Sequence, residues 1–274
     1  MNPDVDFHKI DIVTNRHSLR NLFHAIAGPV VGSFRIDLHL VNGTLFLSRR
    51  DRRNASVVCE SRADVSFGHS FEKEFSKQKS HLLDSDSHYR LIAYPLGGLK
   101  CAVRFEVDAY SSPDDTTADG PDYVPPVNHS SSPALAAPGS TEVVCRGHSI
   151  PHDSIMEVKT RGIRCKSLTR LMPQLWFSRT HRSVHGKHRK GTFIRIQELE
   201  HDSELSTWEI THQDNLRKLV GLLKELWQIT NTSDNKSCVL VSEKAKPRSF
   251  NIHSYPDCKP ALPQAIIDRY WRTE

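Results

Sequence analysis

Two short segments with alternating apolar and charged residues constrain the fold of this chain more than any other feature. Residues 104–109 read Arg-Phe-Glu-Val-Asp-Ala, and residues 156–160 read Met-Glu-Val-Lys-Thr. This alternation predicts β-strands, in which every second side chain lies on the same face. The apolar residues would then pack in a core, and the charged residues would lie together on the opposite face if the strands are neighbours. The charged residues concerned are Glu106, Asp108, Glu157 and Lys159.

Three carboxylates in one patch repel one another, and each raises the pKa of its neighbours. A hard divalent cation removes this repulsion, and oxygen ligands suit Mg²⁺ or Mn²⁺. A cation held in this way lowers the pKa of a bound water and polarises a phosphate, while Lys159 could orient the water or stabilise developing charge. The same alternation is also typical of two amphipathic strands with a solvated polar face, and the spacing alone leaves both interpretations open.

The composition indicates a globular protein and limits its partners. The chain has 274 residues, of which 37% are hydrophobic and 25% charged, enough for one large domain or two small ones. No apolar run approaches the ~20 residues of a membrane span, and the N-terminus lacks a basic-then-apolar signal pattern. We therefore expect no membrane partner and a location in the nucleus, the cytoplasm or both. The net charge of +5 suits a polyanionic substrate without demonstrating one.

Hydrophobic spacing predicts further helices and strands on both sides of the two segments. Helices are expected over residues 15–27, with Thr14 as the N-cap, and over 66–79, 167–178 and 214–229. Hairpin turns are expected at residues 42–43, 95–98 and 189–191. Two short strands, 238–242 and 249–253, and a docking tail, 260–271, would close the chain.

Residues 111–140 differ in composition from the rest of the chain. They are rich in Ser, Pro, Asp, Ala and Gly and contain almost no apolar clusters, which predicts a disordered insertion. The insertion lies between the two charged strands, so it could border their site. Because the strands on either side belong together, we expect residues 1–274 to form a single domain.

Three weaker candidates carry charge near the predicted helices and turns. Arg16 lies in the first turn of the first helix, off its apolar stripe. Glu72 lies at the edge of a helix face formed by three phenylalanines four residues apart. Judged alone, each is more typical of a solvated side chain than of a site residue. The basic cluster at 49–53 is expected in a loop that could face phosphate.

The motifs, taken in order, resemble those of the DXO-type decapping and deNADding exoribonucleases, a branch of the PD-(D/E)XK nuclease superfamily. No single motif is specific, but the shared order indicates a divergent member of that family. The matching segments are 14–19 (Thr-Asn-Arg-His-Ser-Leu), 43–48, 68–72 (Gly-His-Ser-Phe-Glu), 106–108, 157–160, Gln174 and 186–191.

The resemblance implies an α/β fold with a mixed central β-sheet flanked by helices. It also implies a hydrolase that removes 5′-triphosphate, incomplete caps or NAD caps from RNA, with 5′–3′ exonuclease activity in some members. The implied ligands of one or two Mg²⁺ or Mn²⁺ ions are Glu72, Glu106, Asp108, Glu157 and the carbonyl oxygen of Val158. Lys159 and Gln174 would position the water or the scissile phosphate, and Arg16 would bind substrate phosphate.

Two other functions remain open at this point. The chain could be a PD-(D/E)XK nuclease that acts on DNA or another single-stranded substrate. It could instead be a non-catalytic partner of a 5′–3′ exoribonuclease. All the polar positions that the resemblance requires are present, which argues against a loss of catalysis.

Overall fold

The structure is a computed structural model, and it describes residues 6–28, 32–50, 67–79, 82–111, 149–164, 168, 170–243, 249–255 and 259–271. The helices are α1 (Arg16–Ala27), α2 (Phe67–Phe75), α3 (Met172–Ser178), α4 (Asp202–Thr211), α5 (Gln213–Thr232) and α6 (Gln264–Tyr270). The strands are β1 (Ile12–Asn15), β2 (Phe34–Val41), β3 (Thr44–Arg50), β4 (Tyr89–Leu96), β5 (Leu99–Glu106), β6 (Ala109–Tyr110), β7 (Ile155–Gly162), β8 (Arg182–Arg189), β9 (Thr192–Glu200), β10 (Ser237–Ser242) and β11 (Phe250–Ser254). In the part of the chain so described, no helix combines the length and apolarity that crossing a bilayer requires.

A seven-stranded mixed sheet forms the centre of the fold, with strand order β11-β10-β2-β3-β1-β5-β4. Strand β1 is parallel to both of its neighbours, β3 and β5, and the other pairs are antiparallel. Helices α1, α3 and α5 pack on one face, and their apolar stripes meet the inward residues of the strands in the main core. The mixed sheet with flanking helices confirms the predicted fold class.

The opposite face of the large sheet is covered at one end by the C-terminal tail. Trp271, directly after α6, is buried against Val41 and Phe46. Its indole N–H donates to the hydroxyl of Thr44 at 2.9 Å. The tail therefore docks on the sheet as its apolar residues predict.

A second sheet contains four strands in the order β6-β7-β8-β9. The chain crosses from the first sheet to the second between Glu106, where β5 ends, and Ala109, where β6 begins. Among the described residues, strand β5 pairs with β1 and β4, whereas β6 pairs with β7 through Ala109 and Met156. The prediction of one continuous strand over residues 104–109 is therefore wrong. Asp108 lies in the crossing segment, outside both strands.

The predicted helix boundaries are correct within a few residues, with two exceptions of physical interest. Helix α1 is capped by Asn15, whose side-chain oxygen accepts from the backbone N–H of Ser18 at 2.8 Å, and not by Thr14. The helix predicted from residue 167 begins only at Met172. Helix α4 was not predicted, because only Leu205 and Trp208 of its ten residues are buried and its apolar periodicity is weak.

The predicted hairpin turns are present. Asn42 and Gly43 both have positive φ, 43° and 89°, as a two-residue turn between twisted strands requires. Residues 112–148, which include nearly all of the predicted insertion at 111–140, lie outside the described residues.

Candidate active site

Glu157, in the middle of β7, is the centre of the candidate site. It is only 2% exposed and is surrounded by donors from three different elements. Arg16, the first residue of α1, donates to its Oε2 at 2.8 Å. Lys159 of β7 and Gln174 of α3 both donate to its Oε1. Four of the predicted site residues therefore meet at one carboxylate, and Arg16 and Glu157 among them are 141 positions apart in the chain.

The charge of Glu157 is maintained by these donors. Burial alone would raise the pKa of its carboxyl group, but the positive charges of Arg16 and Lys159 outweigh burial and lower it. Glu157 is consequently ionised at neutral pH even though it has almost no contact with solvent.

Asp108 is the second carboxylate of the site. Its Oδ2 accepts from the backbone N–H of Val158 at 2.9 Å and lies 3.5 Å from the ammonium group of Lys159. Burial raises the pKa of Asp108 to about 7, and the adjacent carboxylate of Glu157 contributes to the same rise. The crossing between the two sheets thus places a second acid, half protonated near neutral pH, beside the first.

Gln174 is held in one orientation by a residue that the sequence analysis did not select. Its amide oxygen accepts from Arg20 at 3.1 Å, while its amide nitrogen donates to Glu157. Arg20 lies one helical turn after Arg16 on α1. Only the packing of α1 against α3 reveals this contact, and spacing in the sequence gives no signal for it.

Glu72 and Glu106 lie at the margin of the site. Helix α2, which carries Glu72, packs against β7. Burial raises the pKa of Glu72, and the charges of Glu106 and Glu157 raise it further. Among the described residues, however, no three His, Cys, Asp or Glu side chains approach closely enough to hold a metal ion. The structure brings Asp108 and Glu157 together but does not bring these two glutamates to them.

The Asp108–Glu157 pair fits a hard divalent cation by its chemistry. Both groups supply oxygen donors, and the carbonyl oxygen of Val158, which accepts from Lys159 at 3.0 Å, lies beside them. After burial, the charge of Glu157 is the next cause that raises the pKa of Asp108, while Lys159 lowers it, so the two acids still repel each other beside the ammonium group. A divalent cation would supply the missing positive charge, and Asp108, Glu157 and the Val158 carbonyl are the groups that would hold it.

Three buried polar side chains, two on β8 and one at the start of α4, are hydrogen-bonded beside the site and were not predicted. In the register of the parallel pair, Ser183 is opposite Glu157 and His185 is opposite Lys159, so these side chains share a face. The Ser183 hydroxyl contacts the Nε2 atoms of His185 at 2.7 Å and His201 at 2.6 Å. Burial and the nearby Arg161 lower the pKa of His185 to about 4, so its ring is neutral. The sequence signal that could have revealed this cluster is the pair of polar residues, Ser183 and His185, at alternate positions of a strand that is otherwise buried.

Gly186 on β8 controls the position of α2. A Cβ atom there would lie 2.7 Å from the ring of Phe71, the neighbour of Glu72, and 2.9 Å from Phe193. We expect Gly186→Ala to displace α2 and to reduce the free energy of unfolding by about 1–3 kcal/mol, measured by urea denaturation. Gly162→Ala is the matched control, because nothing lies within 4 Å of a Cβ atom at that position of β7. Equal stability of the two variants would contradict this packing.

The raised pKa of Asp108 predicts an unusual pH dependence of stability. Between its ordinary value of 3.8 and about 7, this group holds a proton in the folded protein but not in the unfolded chain. Protonated Asp108 therefore stabilises the folded protein at low pH, and the free energy of unfolding decreases as pH rises through that range. His185, which is neutral in the folded protein, makes the free energy of unfolding increase with pH and so opposes the effect of Asp108. The wild type must therefore be compared with Asp108→Asn, which removes the effect of Asp108 and keeps that of His185.

Urea denaturation without divalent cations tests this expectation. From about pH 5 to about pH 8, the wild type should lose on the order of 2 kcal/mol relative to Asp108→Asn. Parallel pH profiles for the two proteins would show that Asp108 titrates normally.

Comparison with solved structures shows which fold this is. S. pombe Rai1 has a TM-score of 0.57 and 12% identity, over 85% of this chain and 68% of that chain. Candida albicans Rai1 in complex with pU5-Mn²⁺ has a TM-score of 0.57 and 12% identity, over 96% of this chain and 71% of that chain. K. lactis Dxo1 in complex with manganese has a TM-score of 0.55 and 10% identity, over 94% of this chain and 69% of that chain. The predicted resemblance is thus confirmed for the fold, with strongly diverged sequence.

Comparison by sequence gives a family without a described activity. No curated protein matches the chain. The family described as "Domain of unknown function (DUF8563)" matches residues 1–271, almost the whole sequence. The chain, with its Rai1-like and Dxo1-like fold, therefore belongs to the DUF8563 family.

Proposed function

We propose that this protein is a divalent-metal-dependent hydrolase that acts on the 5′ ends of RNA. The observation that carries the proposal is the buried pair Asp108–Glu157, with Lys159 between the two carboxylates. Two adjacent acids with a shared ammonium group, one of them with a pKa raised to about 7, are costly for stability and typical of a catalytic site. The similarity of the fold to the solved structures of Rai1 and Dxo1 supports RNA 5′ ends as the substrate.

The chemistry that a bound Mg²⁺ or Mn²⁺ supplies is a water of lowered pKa and neutralisation of phosphate charge. Asp108, Glu157 and the Val158 carbonyl would hold the cation. Glu72 and Glu106, which the family resemblance implies as further ligands, would contribute additional carboxylates at the margin of the site. Such a set, made of oxygen donors alone, suits these cations better than softer ones.

The remaining residues act on the phosphate and the water. Lys159, whose ammonium group contacts both carboxylates, is placed to stabilise the negative charge that develops on the phosphoryl oxygens. Gln174, oriented by Arg20, is placed to position the attacking water. Arg16 uses one terminal nitrogen for Glu157, so its guanidinium can also bind substrate phosphate.

The complexes of similar structures support the substrate class. Candida albicans Rai1 binds pU5 and Mn²⁺, and Scheffersomyces stipitis Rai1, with 13% identity and a TM-score of 0.58, binds (3′-NADP)⁺ and a calcium ion. An RNA 5′ end and a dinucleotide share a phosphate next to a ribonucleoside. We propose the same class of ligand here, including 5′-triphosphate, incomplete caps and NAD caps.

A substrate panel tests the proposal. The purified chain is incubated with Mn²⁺ and RNAs that carry a 5′-triphosphate, an unmethylated cap or an NAD cap, and with circular DNA. We expect release of the 5′ group from at least one RNA, complete inhibition by EDTA, and no action on the DNA. Cleavage of the DNA alone would replace the proposal with a DNA nuclease.

A non-catalytic role would give a different result. Such a protein would release nothing from any RNA, and its melting temperature would not rise with Mn²⁺, because a ligand stabilises only a fold that binds it. This combination would reject the hydrolase and favour a structural partner of another nuclease.

A further inference from the structure

Two arginines at the start of β2 and the end of β3 share one buried carboxylate. Asp37 is 1% exposed, and its two oxygens accept separately, from the Nε of Arg35 and from the Nε of Arg50, each at 2.8 Å. The arginine side chains are 40% and 55% exposed. Arg50, the second residue of the basic cluster at 49–53, is therefore held in a defined position, and the active site does not use it.

The geometry of this Arg35–Asp37–Arg50 cluster leaves positive charge available to a ligand. One guanidinium group is enough to neutralise Asp37, so the cluster of two arginines and one aspartate has a net charge of +1. Both arginines bind Asp37 through Nε, and their terminal nitrogens make no part of that contact. The guanidinium of Arg35 also lies over Tyr255, with its carbon 5.0 Å from the ring centre, so Arg50 is the more available of the two. Terminal nitrogens fixed in this way are suited to bind phosphate oxygens, because guanidinium groups bind phosphate in paired, planar geometry.

The cluster lies on the same edge of the large sheet as the candidate active site. Strands β3, β1 and β5 are parallel, so their C-terminal ends, with Arg50, Asn15 and Glu106, lie at one edge. Counting on from the last pairs of β1, Thr14–Leu47 and Asn15–Arg104, Arg50 and Glu106 each lie two residues beyond the end of β1, and strand alternation directs both to the same side of the sheet. Their strands are neighbours of β1 on either side, about 10 Å apart, and β1 itself ends at Asn15, before this level.

The same face carries an aromatic platform on the other side of Glu106. The guanidinium carbon of Arg104 lies 3.7 Å from the centre of the Tyr89 ring, and Tyr89 pairs with Glu106 across β4 and β5. Tyr89 and its strand neighbour Leu91 are both exposed. Exposed aromatic rings and fixed arginines along one surface are the features by which proteins hold single-stranded nucleic acid.

We propose that Arg35 and Arg50 form a phosphate-binding subsite for the body of a single-stranded RNA whose 5′ end lies at Asp108 and Glu157. The inference rests on the proposed function for the identity of the ligand. It adds a distal contact to the phosphodiester backbone that sets affinity for longer RNA and does not take part in the chemistry. The subsite reads no base, since its donors are directed to phosphate.

Binding measurements in EDTA test the subsite without turnover. A short single-stranded RNA with a 5′-phosphate and a 3′ fluorophore is titrated with the full chain, and its anisotropy is followed at several salt concentrations. We expect Arg50→Gln to weaken binding about five- to tenfold and to reduce the slope of log Kd against log salt by about one. Arg35→Gln should do the same, and in each variant the other arginine still neutralises Asp37.

The control is Arg217→Gln, which removes the same charge from an exposed arginine on α5, paired with exposed Asp214, across the sheet from the subsite. We expect this variant to bind as the wild type does. If Arg217→Gln and Arg50→Gln weaken RNA binding equally, the loss of affinity reflects only the overall charge of the protein, and the subsite is overturned. Unchanged binding in both Arg50→Gln and Arg35→Gln would overturn it as well.

The test also separates the subsite from the proposed hydrolase. If no protein hydrolyses any RNA, the proposed function fails, but the anisotropy comparison still decides whether the arginine pair binds RNA.

Discussion

Glu157→Gln will abolish release of the 5′ group from RNA while the protein remains folded. The substitution keeps the shape of the side chain and one oxygen that can accept from Arg16. It removes the negative charge that the site needs to hold a cation and to balance Lys159. Turnover with Mn²⁺ should fall to the level of the EDTA control in a single-turnover assay of the preferred RNA.

The matched control is Glu198→Gln on β9. Glu198 belongs to the same sheet and is ion-paired with Arg182, but it lies on the exposed side of an edge strand. Its substitution should leave turnover unchanged. Thermal denaturation must show that Glu157→Gln is folded, since an unpaired buried charge can cost about 3–5 kcal/mol. Wild-type turnover in a folded Glu157→Gln protein would reject the site.

Phe177→Ala will cause a large loss of stability. Phe177 on α3 is 0% exposed and packs against Trp176 and against Phe23 of α1, with ring centres 5.0 and 6.0 Å apart. Truncation of a phenylalanine in such a position costs about 3–5 kcal/mol. This is a large part of the roughly 5–15 kcal/mol that stabilises a typical domain.

Urea denaturation measures this loss directly. The control is Ile210→Ala on α4, because that side chain is 75% exposed and its removal should change stability by less than about 0.5 kcal/mol. Comparable losses in the two variants would show that α3 is not packed between α1 and the sheet. Since α3 also carries Gln174, the same experiment tests the element that positions the water.

Features with a local cause were predictable from the sequence. The turn at Asn42-Gly43 follows from the positive φ that its two positions require, and the long helix α5 follows from apolar residues spaced at helical intervals. Helix α1 ends where predicted because Gly28 adopts a left-handed conformation. Each of these features depends on residues within a few positions of one another.

The candidate site was predictable only in part. The motif order selected Arg16, Asp108, Glu157, Lys159 and Gln174, all of which meet in the structure. It did not reveal that the strand breaks after Glu106, because alternation of residue types continues unchanged through the crossing between sheets. The alternation of apolar and charged residues indicates on which side of the backbone a side chain lies, but it does not indicate which strand is the neighbour of that segment.

The sequence by itself determined the types of the elements, the turns between neighbouring strands and the acids available for a metal site. Only the tertiary structure decided that Arg20 orients Gln174, that Ser183 joins two buried histidines, and that Arg35 and Arg50 share Asp37. These contacts join side chains from different elements, or depend on burial that several elements create together. Local propensity acts over a few residues, whereas strand order and helix packing are set by burial of the whole apolar surface, and that burial fixes which polar groups meet.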